Sequence, residues 1–515
     1  MSRTSKSIRN IKYAIVGQLV VFLITFIART IFVKVLGAEY LGINGLFTNI
    51  LSILSLAELG IGASIVFSLY KPLAENDRSK VKALMQLFRK FYIFIGVVVA
   101  VLGLSFTPFL EHVIKDMPDI PHIHLIYIMF VINLSLTYFF SYKRSLLFAD
   151  QNSHLVTLYQ HFFFSGLNIG QIIILIFTQN YFLFIGVKLL FTLLENLLIS
   201  IKVNKMYPFM KETDIVKIDE EEKKIITRNI KAMMWHKVGT TVVMGTDSLL
   251  ISKFVGIIAV GVYSNYLLIT NALNTIFSLV FRSITASIGN LGVEENKDKK
   301  EFVFYTLNIF GFWVYGFASI SLFVLLNPFI DLWLGKGYLF SEGIVFIIVL
   351  NFYLTGMRKN VLTFKDAFGL FWNDRYKPLL EALVNLVVSI TLVKYFGIMG
   401  IFVGTTISTL STAFWIEPYV LYKYGFKSSV KPYFIKHFIY SVFLFIVGYI
   451  TWLTSLAFPD DTLISFIVKV LICAIIPNLL FIIIFWRNQN FKYLLNIIMR
   501  RLKLNVKYNN SISRK

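Results

Sequence analysis

Cysteine is almost absent from this chain of 515 residues, Cys473 being its sole example. That excludes a disulfide framework and any metal site built on paired thiolates. Charge is scarce as well. Asp, Glu, Lys and Arg make up 15% of the residues, against about 25% in an ordinary soluble domain. Acidic residues are the scarcer sign, 28 Asp and Glu against 50 Lys and Arg. The signatures of several enzyme classes are missing. There is no GxxxxGK[ST] loop to cradle phosphates and no GxSxG nucleophile elbow. No HExxH pair occurs, and His122 and His124, two apart, point to different faces of a helix. No outward loop is long enough to house a polymerase or glycosyltransferase site. The expectation is a protein that is not an enzyme and carries no cofactor and no metal.

What the chain has in excess is apolar sequence, 57% of all residues. A chain this apolar lacks the polar surface to enclose a soluble core. About 20 apolar residues cross a bilayer as a helix, and the sequence holds roughly fourteen such runs. They lie near 11–35, 42–69, 84–110, 122–142, 152–178, 181–203, 232–255, 259–288, 302–327, 339–363, 377–396, 400–422, 433–457 and 462–486. A transmembrane β-barrel would alternate apolar and polar residues over about 10 positions instead. The fold class is therefore all-α and polytopic. The basic start, SRTSKSIRNIKY, precedes a run without a small-residue cleavage site, which reads as a retained first helix rather than a signal peptide.

The basic excess follows the membrane, not nucleic acid. With the N-terminus inside and the spans alternating, most Lys and Arg fall in inward segments such as 71–90, 202–237, 358–377 and 487–515. The outward loops carry Glu39, Glu111, Asp116, Asp119, Asp331, Asp460 and Asp461 instead. Lys and Arg are enriched on the cytoplasmic side of membrane proteins, so both termini are expected in the cytoplasm and no nucleic-acid partner is needed. The basic tail is placed to lie on an anionic leaflet.

The longest polar stretch, 205–230, separates two halves that resemble each other. Aligning LGAEYLGINGLFTNIL with VGIIAVGVYSNYLLIT puts Gly37 on Gly256 and Gly42 on Gly261. The same register brings Glu75 onto Glu294 and Lys80 onto Lys299, and PFLE at 108–111 falls close to it on PFID at 328–331. Six spans per copy is an even number, so both copies enter the membrane the same way, as parallel repeats with a path between them. The expected organisation is an N-terminal lobe at 1–204, a cytoplasmic linker at 205–231 and a C-terminal lobe at 232–422. Two unpaired helices at 423–486 and a basic tail at 487–515 follow.

Charged groups inside spans are costly and usually face a bundle interior or a wet cavity. Arg29 and Arg282 are cavity candidates, because a planar guanidinium can make two parallel hydrogen bonds to phosphate. Asn271, Asn274, Ser278, Arg282 and Thr285 follow helical i, i+3, i+4 steps and share one face. That face is either a cavity lining or interhelical hydrogen-bond glue. Glu58 and Asp247 are candidates for coupling or for structural ion pairs with the two arginines. Lys188, Lys253 and Lys469 lie near span ends and are expected to snorkel to the interface.

RTIFVKVLGAEYLGINGLFTNILSILSLAELGIGASI (29–65), TDSLLISKFVGIIAVGVYSNY (246–266), SITASIGN (283–290) and FWNDRYKPLLEALVNLVVSITLVKYFGIMGIFVGTTIS (371–408) resemble the Wzx-type oligosaccharide flippases of the multidrug/oligosaccharidyl-lipid/polysaccharide exporter superfamily. The resemblance implies a fourteen-helix, two-lobed transporter in the bacterial cytoplasmic membrane. It implies translocation of an undecaprenyl-diphosphate-linked oligosaccharide repeat unit by alternating access, often coupled to an ion gradient, for cell-surface polysaccharide such as capsule or exopolysaccharide. It also implies a lipid bilayer environment, with a polysaccharide polymerase and glycosyltransferases as candidate partners. In that family basic residues of the first helix and of the second lobe line the cavity, and Arg29 and Arg282 are the matching positions here. A cation-coupled multidrug exporter of the same fold is the competing transport reading; it would favour carboxylates in the cavity. A membrane polymerase would need a large outward loop, and a non-transporting scaffold would survive removal of both arginines.

Overall fold

The computed structural model describes residues 3–58, 61–150, 152–211, 245–293, 297–370, 372–459 and 462–501. Most of the expected linker, the start of the seventh span and the basic tail beyond Arg501 lie outside the described residues. The main helices are α1 (Arg3–Leu54), α2 (Ile61–Ala74), α3 (Arg78–Ser105), α4 (Ile123–Ala149), α5 (Ser153–Thr178), α6 (Tyr181–Met206), α7 (Ile257–Val293) and α8 (Lys297–Leu334). They continue as α9 (Glu342–Ala367), α10 (Lys377–Phe396), α11 (Ile398–Ser411), α12 (Ala413–Val420), α13 (Lys431–Ser455), α14 (Leu463–Phe485) and α15 (Gln489–Arg501). Among the described residues, 12 helices are long and apolar enough to cross a membrane. The expected runs 11–35 and 42–69 are joined through α1, which is bent at Gly37, and 232–255 is only partly described. The chain is an all-helical, multi-pass membrane protein.

The helices sort into two compact units. The first comprises Lys12–Ala272 and Arg375–Ala413; the second comprises Met1–Ile11, Leu273–Asp374 and Phe414–Lys515. In lipid there is no hydrophobic drive between helices, so close packing and internal hydrogen bonds must hold them together. In the first unit, α3, α4 and α6 pack around Leu84, Phe88, Tyr92, Tyr138, Leu146 and Val203. In the second, Phe304, Tyr305, Phe364, Tyr422, Phe426 and Tyr433 form an aromatic core, with the Tyr422 hydroxyl 2.9 Å from that of Tyr305. Edge-to-face rings such as Phe304 on Phe364, 5.2 Å apart, place the positive rim of one ring on the negative face of the other. Large side chains including Phe94, Phe162 and Phe177 remain exposed on the first unit. Such surface fits hydrocarbon rather than water.

The glycines matched between the two halves have a structural role. Gly37 has φ 84° and Gly256 has φ 138°, backbone that an L side chain would strain. Gly42 and Gly261 are where α1 and α7 touch: a Cβ at Gly42 would lie 2.1 Å from the Ile257 carbonyl oxygen, and one at Gly261 2.4 Å from that of Ala38. The small residues therefore let the two backbones meet, as they do in close membrane helix pairs.

Candidate functional site

In the first unit, α1 carries Arg29 about two turns before the bend at Gly37, facing α7. Its Nη1 donates to the Ser264 hydroxyl at 2.9 Å, and that hydroxyl donates to the Gly261 carbonyl at 2.7 Å. The close α1–α7 approach at Gly42 and Gly261 sets this meeting. Among the described residues Arg29 has no carboxylate partner. A guanidinium in a span bonded to one hydroxyl keeps donors in reserve, since it carries five N–H groups. This is the arrangement a receptor for phosphate needs.

Asp247 lies in the segment that leads into α7 and is 9% exposed. Its two oxygens each stand 3.5 Å from the Thr405 hydroxyl on α11. Asn385 on α10 donates to the same hydroxyl at 2.9 Å, and the Thr246 hydroxyl reaches Asn385 Oδ1 at 3.4 Å. Next along the chain, Ser248 accepts from Asn49 Nδ2 at 2.9 Å, which ties the segment to α1. Among the described residues no cation pairs with Asp247. A carboxylate left uncompensated in an apolar interior is unfavourable by several kcal/mol, and a proton or a cation would relieve that cost. The carboxylate, amide and hydroxyl oxygens are the hard donors that a small cation takes. The tight α10–α11 hairpin holds them in place: Gly397 turns at φ 55°, and a Cβ at Gly404 would lie 2.2 Å from Ser389 Oγ.

Glu58 sits in a turn of helix at Ser55–Glu58 and accepts from the Tyr92 hydroxyl at 3.4 Å. The sequence-level alternative, an ion pair joining Arg29 to Glu58 or Asp247, is not what Arg29 makes; it bonds to Ser264. Asn271 is exposed on α7 in the first unit. Asn274 and Ser278 lie on α7 in the second unit, and the Asn274 Oδ1 is buried with no hydrogen-bond partner among the described residues. Arg282 lies on α7 too, but its side chain falls outside the described residues.

Further charges lie within the helices. Arg144 on α4 directs Nη2 to Glu195 Oε1 and Asn196 Oδ1 on α6, both at 2.9 Å. The pair edges a cavity of about 350 Å³ shared with Gln160, His161, Phe164 and Thr192. Lys188 does not snorkel; its ammonium sits 4.5 Å over the Phe130 ring, where the negative ring face holds it. Lys253 donates to the His112 carbonyl. In the second unit, Arg358 grips Glu417 with both Nε (3.0 Å) and Nη2 (2.7 Å), and Glu417 is fully buried.

Asn385, Thr405 and the Arg358–Glu417 pair were not singled out from sequence. A signal for the first existed. Glu381, Asn385 and Ser389 recur at i, i+4 along an apolar helix and are 5%, 0% and 0% exposed. Nothing in the sequence marked Thr405 as their partner across the hairpin.

No protein-family model matches the chain, and no curated protein sequence matches it significantly. Solved structures do. An inward-facing multidrug resistance MATE family transporter of the MOP superfamily matches with TM-score 0.62 at 17% identity, over 79% of this chain and 98% of that one. The lipid II flippase MurJ, in an inward closed conformation, matches with TM-score 0.64 at 14% identity, over 91% of this chain and 98% of that one. A MOP superfamily transporter from Pyrococcus furiosus, described as having a reversed binding-pocket polarity, matches with TM-score 0.55 at 15% identity over 82% and 97%. The fold is that of the MOP-superfamily transporters.

Proposed function

We propose that the chain is a flippase that moves a polyprenyl-diphosphate-linked oligosaccharide repeat unit across the cytoplasmic membrane by alternating access. The observation that carries this reading is Arg29, a guanidinium inside a span whose hydrogen-bond partner is a hydroxyl rather than a carboxylate. A diphosphate headgroup cannot enter hydrocarbon alone. A guanidinium in a hydrated cavity neutralises it, while the prenyl tail stays in lipid. Arg282, Asn271, Asn274 and Ser278 are proposed to continue that cavity, which follows the two-lobed repeat at 1–204 and 232–422. Asp247 with Asn385 and Thr405 is proposed as the coupling site. Taking up a small cation or a proton there removes the uncompensated charge and so biases one conformation over the other. A termini-inside topology in the bacterial cytoplasmic membrane, and a polysaccharide polymerase and glycosyltransferases as partners in capsule or exopolysaccharide assembly, complete the proposal.

The same Asp247 favours the second reading, a cation-coupled multidrug exporter, since a carboxylate attracts cationic drugs. The two separate in proteoliposomes. Under the flippase reading, a fluorescent polyprenyl-diphosphate glycan changes leaflet in an ion-dependent manner, and Arg29→Ala slows it at least tenfold with expression intact. Unchanged translocation in Arg29→Ala removes the site. Transport of a cationic dye without movement of the glycolipid replaces the flippase by the exporter.

A further inference from the structure

The second unit builds two adjoining cavities with the C-terminal helices α13 and α14, which the sequence leaves outside the expected repeat. One, of about 370 Å³, lies between α8, α9 and α13. Ile320, Phe323, Phe346, Leu444, Phe445 and Tyr449 line it, and its walls are almost wholly carbon. It opens sideways, because Phe346, Phe445 and Tyr449 on its rim are exposed. A sideways apolar opening in a membrane helix bundle faces lipid chains. Gly448 keeps it wide; a Cβ there would stand 3.5 Å from Ile320 Cγ1, an ordinary contact.

The second cavity, of about 390 Å³, meets the first at Phe323 and Trp452 and is polar. Asn327, Asp331, Lys336, Glu342, Ser455 and Lys469 line it. It sits where α8 and α13 end and α9 and α14 begin, the end that the charge pattern assigns to the outer side. Lys469 is a built part of this wall. Expected to snorkel, it is instead 4% exposed, about two turns inside α14. Asn327 is also fixed, donating to the Phe340 carbonyl at 2.9 Å.

We propose that the joined cavities are a binding site for one phospholipid with a zwitterionic, phosphate-plus-ammonium headgroup. An apolar stem that opens to lipid and a polar head at the membrane boundary match an amphiphile in shape. Trp452 stands at the junction, where amphipathic rings favour the interface. The charges select the headgroup. Lys336 and Lys469 offer ammonium groups to a phosphate, and Asp331 and Glu342 offer carboxylates to an ammonium. A purely anionic lipid would leave both carboxylates facing its phosphate. The site does not depend on the substrate reading above.

The test is native mass spectrometry of the full chain purified in mild detergent. Phosphatidylethanolamine, phosphatidylglycerol and undecaprenyl diphosphate are titrated separately and in competition. One phosphatidylethanolamine should bind at least tenfold more tightly than phosphatidylglycerol. Asp331→Asn with Glu342→Gln should erase that preference, and Gly448→Leu should weaken binding of both phospholipids by filling the stem. Lys469→Gln should weaken phosphatidylethanolamine binding about tenfold; if that variant does not fold, Lys336→Gln, at an exposed position, should weaken the same binding. Equal affinity for the two phospholipids in the unaltered protein would reduce the site to annular lipid. Displacement of phosphatidylethanolamine by undecaprenyl diphosphate at equal concentration would give the cavities to a polyprenyl ligand. Either result overturns the proposal.

Discussion

Two arginines, one in each unit, show what a membrane charge is for. Arg358 in the second unit is held by both oxygens of Glu417, a carboxylate with no exposure at all. Arg29 in the first unit is held by one serine hydroxyl. Both lie in apolar helices, although the sequence assigns Arg358 to the basic inward segment 358–377 and Arg29 to the interior of a span. The partner decides the role. A bidentate pair closes the valence of both ions and locks two helices together. A hydroxyl, the partner of Arg29 among the described residues, does not neutralise the guanidinium charge. The acids divide the same way: Glu417 is gripped by its arginine, whereas Asp247 is met by the Thr405 hydroxyl. Charge count alone cannot separate a strut from a site.

That comparison breaks most easily at the strut. Glu417→Ala strands Arg358 and should destabilise the protein by about 3–5 kcal/mol, read as a large fall in thermal unfolding temperature in detergent. Arg29→Ala should leave that temperature almost unchanged and act on transport alone. The opposite pattern would exchange the two roles.

The glycine contact that brings α1 against α7 comes next. Gly42→Leu drives a side chain into the Ile257 carbonyl and should cost about 3 kcal/mol. Because the Arg29–Ser264 bond depends on this approach, glycolipid movement should fall along with stability. A stable, active Gly42→Leu protein would show that the close approach is not needed.

Asp247→Asn sharpens the contrast from the acidic side. Removing an uncompensated charge should leave stability equal or higher, while the ion dependence of transport disappears. A drop in unfolding temperature with retained ion dependence would make Asp247 a strut like Glu417. The smallest effect is expected at Tyr92→Phe, which deletes the 3.4 Å bond to Glu58 and should cost about 1 kcal/mol without altering transport.

Much of the fold was legible beforehand, because a bilayer imposes a simple rule on composition: a long apolar run must satisfy its own backbone, and the helix does so. The glycine register between the halves was legible too. Gly37 and Gly256 were aligned as letters, and both carry positive φ. Of the site, Arg29 and Asp247 stood out, since an ionised group among apolar residues is visible in one dimension. Their partners did not stand out. Ser264 was one polar residue of many on its helix, and Asn385 and Thr405 were ordinary members of apolar runs. Lys469 was misjudged because its distance from the span end allowed snorkelling, whereas its neighbours Asp331 and Glu342 come from other helices.

Sequence by itself determined that this chain is a bundle of membrane helices with a basic bias and a few charges placed among apolar residues. Each of those is a property of one segment at a time, governed by the free energy of placing that segment in lipid. Only the tertiary structure decided that Arg358 meets a carboxylate while Arg29 meets a hydroxyl, that Asp247 meets a hydroxyl, and that a buried lysine lines a polar cavity. Those outcomes depend on contacts between residues far apart in the chain, where a few tenths of a nanometre separate an ion pair from a charge met by a hydroxyl.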